Sequence, residues 1–128
     1  MKVHHVGIVV HNEQVARELM ESLELKEDYR GYVAEYQSLC IFSQKEDGSV
    51  VEFVVPSGGT LATYNNGKGG IHHIAFEVDD IGAHKRRLEA KGVRFLEDKP
   101  VKGAGDFVVN FVRPRSLGGI LVEFVQLI

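Results

Sequence analysis

Two short segments of this chain each occur twice. His4-His5-Val6-Gly7-Ile8 is repeated as His72-His73-Ile74-Ala75-Phe76, and Val51-Glu52-Phe53-Val54 is repeated as Val122-Glu123-Phe124-Val125. The offsets between the copies are 68 and 71 residues, so each copy spans about half of the 128 residues. Each copy brings one histidine and one glutamate. The duplication therefore predicts two related modules that assemble one divalent-metal site between them.

Length, charge and cysteine content limit the class of protein. A chain of 128 residues fits one compact domain, or two small modules that share a core. Its net charge of −3 gives no basic footprint for nucleic acid or an anionic membrane. The N-terminus lacks the pattern of a signal peptide, and no apolar run is long enough to cross a bilayer. The single Cys40 excludes an internal disulfide framework and permits a reducing compartment. We expect a soluble cytoplasmic protein.

The hydrophobic pattern predicts a βαβββ order in the first module, residues 1–56. Apolar residues alternate over Met1–Val10, which is typical of a strand, and follow helical spacing over Asn12–Leu23, with Asn12 as N-cap. The turn Glu46-Asp47-Gly48 predicts a hairpin. The three strands predicted after the helix are Leu25–Ala34, Tyr36–Ser43 and Ser49–Val55.

The same order is predicted again after a joint at residues 57–70 that is rich in glycine and polar residues. In the second module, residues 71–128, Asp79-Asp80 supplies an N-cap for a helix that runs to about Lys91, and Gly92 is a suitable stop. Two such modules, neither able to close a core alone, should pair as a single α+β domain. The strands predicted here are Ile71–Val78, Val93–Leu96, Phe107–Val112 and Ile120–Gln126.

Strand parity places the four repeated polar residues on the sheet faces that point away from the helices. A buried carboxylate is costly unless it is paired or binds a cation. Gly7 and Ala75, two positions beyond the histidines, leave space in front of them. Two imidazoles and two carboxylates suit zinc, cobalt, nickel, manganese or iron. A closed structural metal site and solvent-facing His–Glu pairs are the alternatives. The residues concerned are His5, Glu52, His73 and Glu123.

These segments resemble the vicinal oxygen chelate (glyoxalase/bleomycin resistance/dioxygenase) superfamily. The similarity covers essentially the whole chain and is most specific at Gly70–Asp80 and Gly118–Glu123. Its closest branch is methylmalonyl-CoA epimerase, with glyoxalase I as a near relative. The resemblance implies two paired βαβββ modules that form an open cupped, U-shaped mixed sheet around one metal, usually in a homodimer. It also implies that the metal ligands are His5, Glu52, His73 and Glu123.

The resemblance further implies a metal-dependent isomerase or epimerase with a small-molecule substrate such as an acyl-CoA thioester. In such an enzyme the cation stabilises the negative charge that develops on a carbonyl oxygen when the adjacent C–H proton leaves. The resemblance assigns Glu123 as both metal ligand and base, and Glu35 as the second base on the opposite side of the carbon. A solvent-facing turn glutamate is the other interpretation of Glu35. No cofactor other than the metal is expected.

Two segments depart from the epimerase pattern. Gly103-Ala104-Gly105-Asp106 replaces a Gly-Ala-His-Gly loop, and Arg113-Pro114-Arg115 replaces His-Pro-Lys. Lys102, Arg113 and Arg115 are candidates for contact with phosphates or a carboxylate, or are solvated surface charges. Two other functions fit the same residues: a glyoxalase I-type lactoylglutathione lyase, and a non-catalytic small-molecule binding or resistance protein.

Overall fold

The structure is a computed structural model that describes residues 1–45 and 48–128. Over these residues the chain has the predicted α+β fold, with two α-helices and eight β-strands. It divides into two compact units. The first unit is His5–His72, and the second comprises Met1–His4 and His73–Ile128. Neither helix in this part of the chain has the length and hydropathy needed to span a membrane.

The first unit contains a four-stranded sheet and one helix. Its strands lie in the order β2-β3-β4-β1, with β1 and β4 parallel and the other neighbours antiparallel. The predicted hairpin turn falls partly on Glu46 and Asp47, which lie outside the described residues. The elements are β1 (Lys2–Val9), α1 (Glu13–Ser22), β2 (Glu27–Val33), β3 (Ser38–Ser43) and β4 (Val51–Pro56).

The second unit repeats this arrangement, with strands in the order β5-β8-β7-β6 and β5 parallel to β8. The strand predicted at Val93–Leu96 is wrong. Only Phe95 forms an isolated bridge there, with Val112. The apolar Phe95 side chain packs in the core, and that burial produced the strand-like pattern. A two-residue strand forms the edge of the sheet instead. The elements are β5 (Gly70–Glu77), α2 (Ile81–Glu89), β6 (Val101–Lys102), β7 (Phe107–Val112) and β8 (Val122–Leu127).

Each helix packs on one face of its own sheet. In the first unit the buried core consists of Val10, Ala16, Met20, Ile41 and Phe53. In the second unit it consists of Ile81, Phe95, Val112, Val122 and Phe124. Because neighbouring residues on a strand point to opposite faces, Glu52 and Glu123 point away from these cores, as predicted.

Both helices begin at the predicted N-caps. The Asn12 side chain accepts a hydrogen bond from the Val15 N–H at 2.9 Å, and the Asp80 side chain accepts one from the Ala83 N–H at 2.9 Å. Each bond satisfies a backbone donor that has no partner within the helix. The two helix starts are therefore specified locally by the sequence.

The two helix ends have the same geometry but different residues. After α1 the Leu25 N–H donates to the Met20 carbonyl at 2.7 Å, and Glu24 has a left-handed backbone with φ +56°. After α2 the equivalent left-handed residue is Gly92, with φ +90°. This hydrogen-bond pattern is a Schellman motif, which favours glycine at the left-handed position. Glu24 therefore carries a backbone strain that Gly92 avoids.

His84 on α2 is partly buried and packs against Phe124 of the second core. Its ring lies 4.4 Å from the Phe124 ring at an interplanar angle of 65°, and its Nδ1 lies 3.2 Å from Arg87 Nη2. Burial, and secondarily the positive charge of Arg87, lower the pKa of His84 from its ordinary value of 6.5. The neutral imidazole is therefore favoured in the folded chain.

Replacing Glu24 with glycine should raise the free energy of unfolding by about 0.5 to 1 kcal/mol, because a left-handed backbone is strained for any residue with a Cβ atom. Urea denaturation measures the change. Glu24→Ala is the matched control, because it removes the carboxylate but keeps the Cβ. Its free energy of unfolding should rise little. An equal gain in both variants would mean that the carboxylate, and not the backbone, is the source of the strain.

Replacing His84 with glutamine should reduce the loss of stability on acidification. The folded pKa of His84 is lowered, so below about pH 6.5 the unfolded chain binds more protons than the folded chain. This histidine therefore contributes stability above that pH, and the contribution is lost as the pH falls through the folded pKa. Denaturation between pH 7.5 and pH 5 tests this, with the exposed His11→Gln as control. Parallel pH profiles for His84→Gln and the unmodified chain would contradict it.

Candidate functional site

In the first unit, parallel strands β1 and β4 bring an imidazole next to a carboxylate. Gly7 is the register partner of Glu52, and His5 lies two residues before Gly7 on the same face. His5 Nε2 is 3.3 Å from Glu52 Oε1, and the two side chains are only 1% and 9% exposed. The absence of a side chain on Gly7 lets the two groups approach.

The second unit repeats this geometry on parallel strands β5 and β8. Ala75 is the register partner of Glu123, and His73 precedes Ala75 by two residues. His73 Nε2 is 3.6 Å from Glu123 Oε1, with side chains 3% and 7% exposed. The duplicated sequence has therefore produced the same buried His–Glu pair in each unit.

A phenylalanine ring flanks each pair, and sequence reasoning did not identify either one. Phe42 is the register partner of Glu52, and its ring lies 5.2 Å from the His5 ring at 87°. Phe111 is the register partner of Glu123, and its ring lies 5.1 Å from the His73 ring at 87°. The sequence does carry a signal for them, because Phe42 and Phe111 form a third repeated pair. They are 69 positions apart, close to the offsets of the histidines and the glutamates. Both rings form apolar walls that orient the imidazoles.

The separation of the donor atoms fits two ligands of one cation. Two ligands at about 2.1 Å from a divalent ion lie roughly 3.0 to 3.4 Å apart in octahedral or tetrahedral geometry. The observed 3.3 Å and 3.6 Å are close to this range and longer than a typical charge-assisted hydrogen bond of about 2.7 to 2.9 Å. Imidazole nitrogen and carboxylate oxygen are donors that borderline divalent ions accept. Each pair is thus chemically suited to hold such an ion.

Glu35 lies apart from the cores, exposed on a short 3₁₀ turn, Ala34–Tyr36, between β2 and β3. The turn is firmly anchored. The Gln37 carbonyl accepts hydrogen bonds from the Ser57 N–H at 2.9 Å and the Ser57 hydroxyl at 3.0 Å. The Ser38 hydroxyl donates to the Tyr36 carbonyl at 2.8 Å. The structure therefore presents the Glu35 carboxylate at the surface on a fixed segment of backbone.

The two remaining histidines of the repeat, His4 and His72, pack against aromatic rings. The His4 ring contacts the edge of Phe107 at 5.2 Å, and the His72 ring contacts that of Tyr64 at 4.8 Å. Lys102 donates to backbone carbonyl groups of its own turn, including that of Gly105.

Comparisons with known proteins agree with this geometry. The Glyoxalase/Bleomycin resistance protein/Dioxygenase superfamily matches residues 4–111. The mitochondrial methylmalonyl-CoA epimerase of Dictyostelium discoideum is 33% identical over 136 aligned positions, which cover 98% of this chain and 78% of the relative.

Solved structures of epimerases have the same fold over nearly the whole chain. Methylmalonyl-CoA epimerase from Mycobacterium tuberculosis is 25% identical with a TM-score of 0.90, covering 99% of this chain and 88% of that one. A variant of the Streptomyces coelicolor methylmalonyl-CoA epimerase, in complex with 2-nitronate-propionyl-CoA, is 26% identical with a TM-score of 0.86, covering 98% and 96%. The chain therefore belongs to the Glyoxalase/Bleomycin resistance protein/Dioxygenase superfamily, the family that its duplicated segments resemble.

Proposed function

We propose that this chain is a metal-dependent epimerase that inverts the carbon next to an acyl-CoA thioester, as methylmalonyl-CoA epimerase does. The observation that carries the proposal is the buried His–Glu pair repeated in each unit. It is supported by a relative that aligns with 98% of this chain, and by solved structures, that are named methylmalonyl-CoA epimerase. The same relationship favours a homodimer.

We further propose that one divalent ion is held by the two pairs together. Its identity would be cobalt, zinc, nickel, manganese or iron, because imidazole and carboxylate donors suit all of these. When bound, the ion would supply positive charge that stabilises the developing negative charge on the thioester oxygen. The donor separations within each pair and the burial of both carboxylates support this assignment. The proposed ligands are His5, Glu52, His73 and Glu123.

Epimerisation requires one group to remove a proton and another to deliver one to the opposite face. We assign removal to the Glu123 carboxylate, which is 7% exposed and has Phe111 as its register partner. Protonated Glu35 then donates its proton to the other face of the carbon. One C–H bond breaks and one forms, so the product is the epimer. Glu123 ends protonated and Glu35 ionised, and exchange with solvent restores the starting state.

A shared site predicts one ion per chain. Cobalt(II) titration followed by absorption and elemental analysis should give one equivalent of metal. His5→Gln and His73→Gln should each lower the affinity for that same ion by at least tenfold, because each replaces one imidazole donor with a weaker amide oxygen. His11→Gln, which changes an exposed histidine, is the control. Two equivalents in the unmodified chain, with one lost in each variant, would instead indicate two independent sites.

Catalysis by two bases predicts different effects of the two glutamates. In D₂O with methylmalonyl-CoA, Glu123→Gln should lower epimerisation by at least 10²-fold, since a glutamine can ligate an ion but cannot accept the proton. Deuterium should then enter only the epimer whose proton faces Glu35, because Glu35 is the base in the reverse direction. Glu35→Gln should block epimerisation, while deuterium still enters the one epimer whose proton faces Glu123. NMR of the α-proton, combined with chiral analysis of the thioester, measures both quantities.

The matched control is Glu21→Gln, which changes an exposed glutamate on α1. Metal content is measured for every variant, so that loss of the ion is not mistaken for loss of the base. Epimerisation that persists in Glu123→Gln, or the same epimer exchanging in both variants, would exclude the proposed mechanism. Turnover of methylglyoxal with glutathione, without deuterium exchange into acyl-CoA thioesters, would show that the function is that of a glyoxalase I-type lyase and not an epimerase.

A further inference from the structure

The second unit has a cleft of about 500 Å³ that the proposed metal ligands do not line. Three arginines surround it: Arg94, Arg113 and Arg115. The rest of its lining is largely apolar and includes Leu96 and Leu121. The net charge of the chain is −3, so this concentration of positive charge runs against the overall balance.

The three guanidinium groups have no carboxylate partner among the residues that the structure describes. Arg30 in the first unit shows the contrast. It lies 2.6 Å from both Glu13 and Glu27, and its hydrogen bond lowers the pKa of Glu27 below the usual value. The cleft arginines are therefore available to an anionic ligand, whereas Arg30 is already neutralised.

The backbone of the cleft is held in place before any ligand binds. The Arg113 N–H donates to the Arg94 carbonyl at 2.8 Å, and the Arg94 N–H donates to the Ser116 hydroxyl at 2.9 Å. A further bond from the Gly119 N–H to the Pro114 carbonyl, at 2.8 Å, closes the loop. A preformed arrangement lowers the entropy that must be lost when a ligand is bound.

The cleft lies at the end of the strands that carry Phe111 and Glu123. Arg113 follows Phe111 by two residues and Leu121 precedes Glu123 by two, a rise of roughly 7 Å along each chain. A ligand that extends from Glu123 past the ends of β7 and β8 would reach the arginines. The required ligand is long, with an anionic group at a distance from its reactive carbon.

We propose that this cleft binds the phosphate groups of the adenosine 3′,5′-bisphosphate end of the acyl-CoA substrate. Guanidinium groups match phosphate oxygens in geometry and charge, and the apolar part of the lining suits the face of an adenine ring. This inference rests on the proposed function, because it assigns the distal end of the same substrate.

Binding of adenosine 3′,5′-bisphosphate alone, measured by calorimetry, tests the cleft without requiring turnover. Arg113→Gln and Arg115→Gln should each raise its Kd about tenfold, as expected for loss of one charge-assisted contact. The KM for methylmalonyl-CoA should rise in parallel with kcat unchanged. The KM for methylmalonyl-pantetheine, which lacks the phosphates, should not change. Arg86→Gln, an exposed arginine of α2 outside the cleft, is the matched control.

An unchanged Kd for the bisphosphate in an Arg113→Gln, Arg115→Gln double variant would overturn the assignment. So would an equal rise in KM for both thioesters, since that would place the arginines at the acyl or pantetheine portion. If no thioester is turned over but the arginine-dependent Kd remains, the cleft is supported and the proposed function fails. The two inferences are therefore separable.

Discussion

The structure depends most on the burial of a carboxylate beside an imidazole, which occurs once in each unit. Removing a carboxylate from water is unfavourable, and an imidazole at 3.3 or 3.6 Å compensates only in part. Phe42 and Phe111 intensify the effect because their rings keep solvent away. A cation that enters such a site offsets the desolvation, and its affinity is then coupled to the stability of the folded chain.

Much of this was predictable because it is encoded over short distances. The period of two residues in the strands assigned Glu52 and Glu123 to the face away from the helices, and the cores confirm that assignment. Asn12 and Asp80 were identified as N-caps from their own chemistry, and both accept the expected hydrogen bond. The repeat itself located the His–Glu pairs.

The parts that sequence missed depend on contacts between distant segments. Val93–Leu96 has the alternation of a strand, but its pairing stops at one isolated bridge, between Phe95 and Val112, and the Phe95 side chain packs in the second core. The sequence did not indicate that Arg94 lies beside Arg113 and Arg115. That proximity comes from a backbone hydrogen bond between segments far apart in the chain, in which the Arg113 N–H donates to the Arg94 carbonyl. Phe42 required knowledge of its register with Glu52. Strand register is a property of the fold and is weakly encoded in any single segment.

The two units differ in length without differing in the geometry of their polar pairs. Thirty-seven residues separate His5 from Phe42, and thirty-eight separate His73 from Phe111, while the following intervals to Glu52 and Glu123 are ten and twelve. A one-residue insertion inside a strand would turn the side chains beyond it to the opposite face, so the added residues must lie outside the strands that carry the pairs. The two repeats differ instead in their connecting segments and in the edge strand, which has seven residues in β2 and two in β6. Each half can therefore acquire its own specificity there while the geometry of the pairs is preserved.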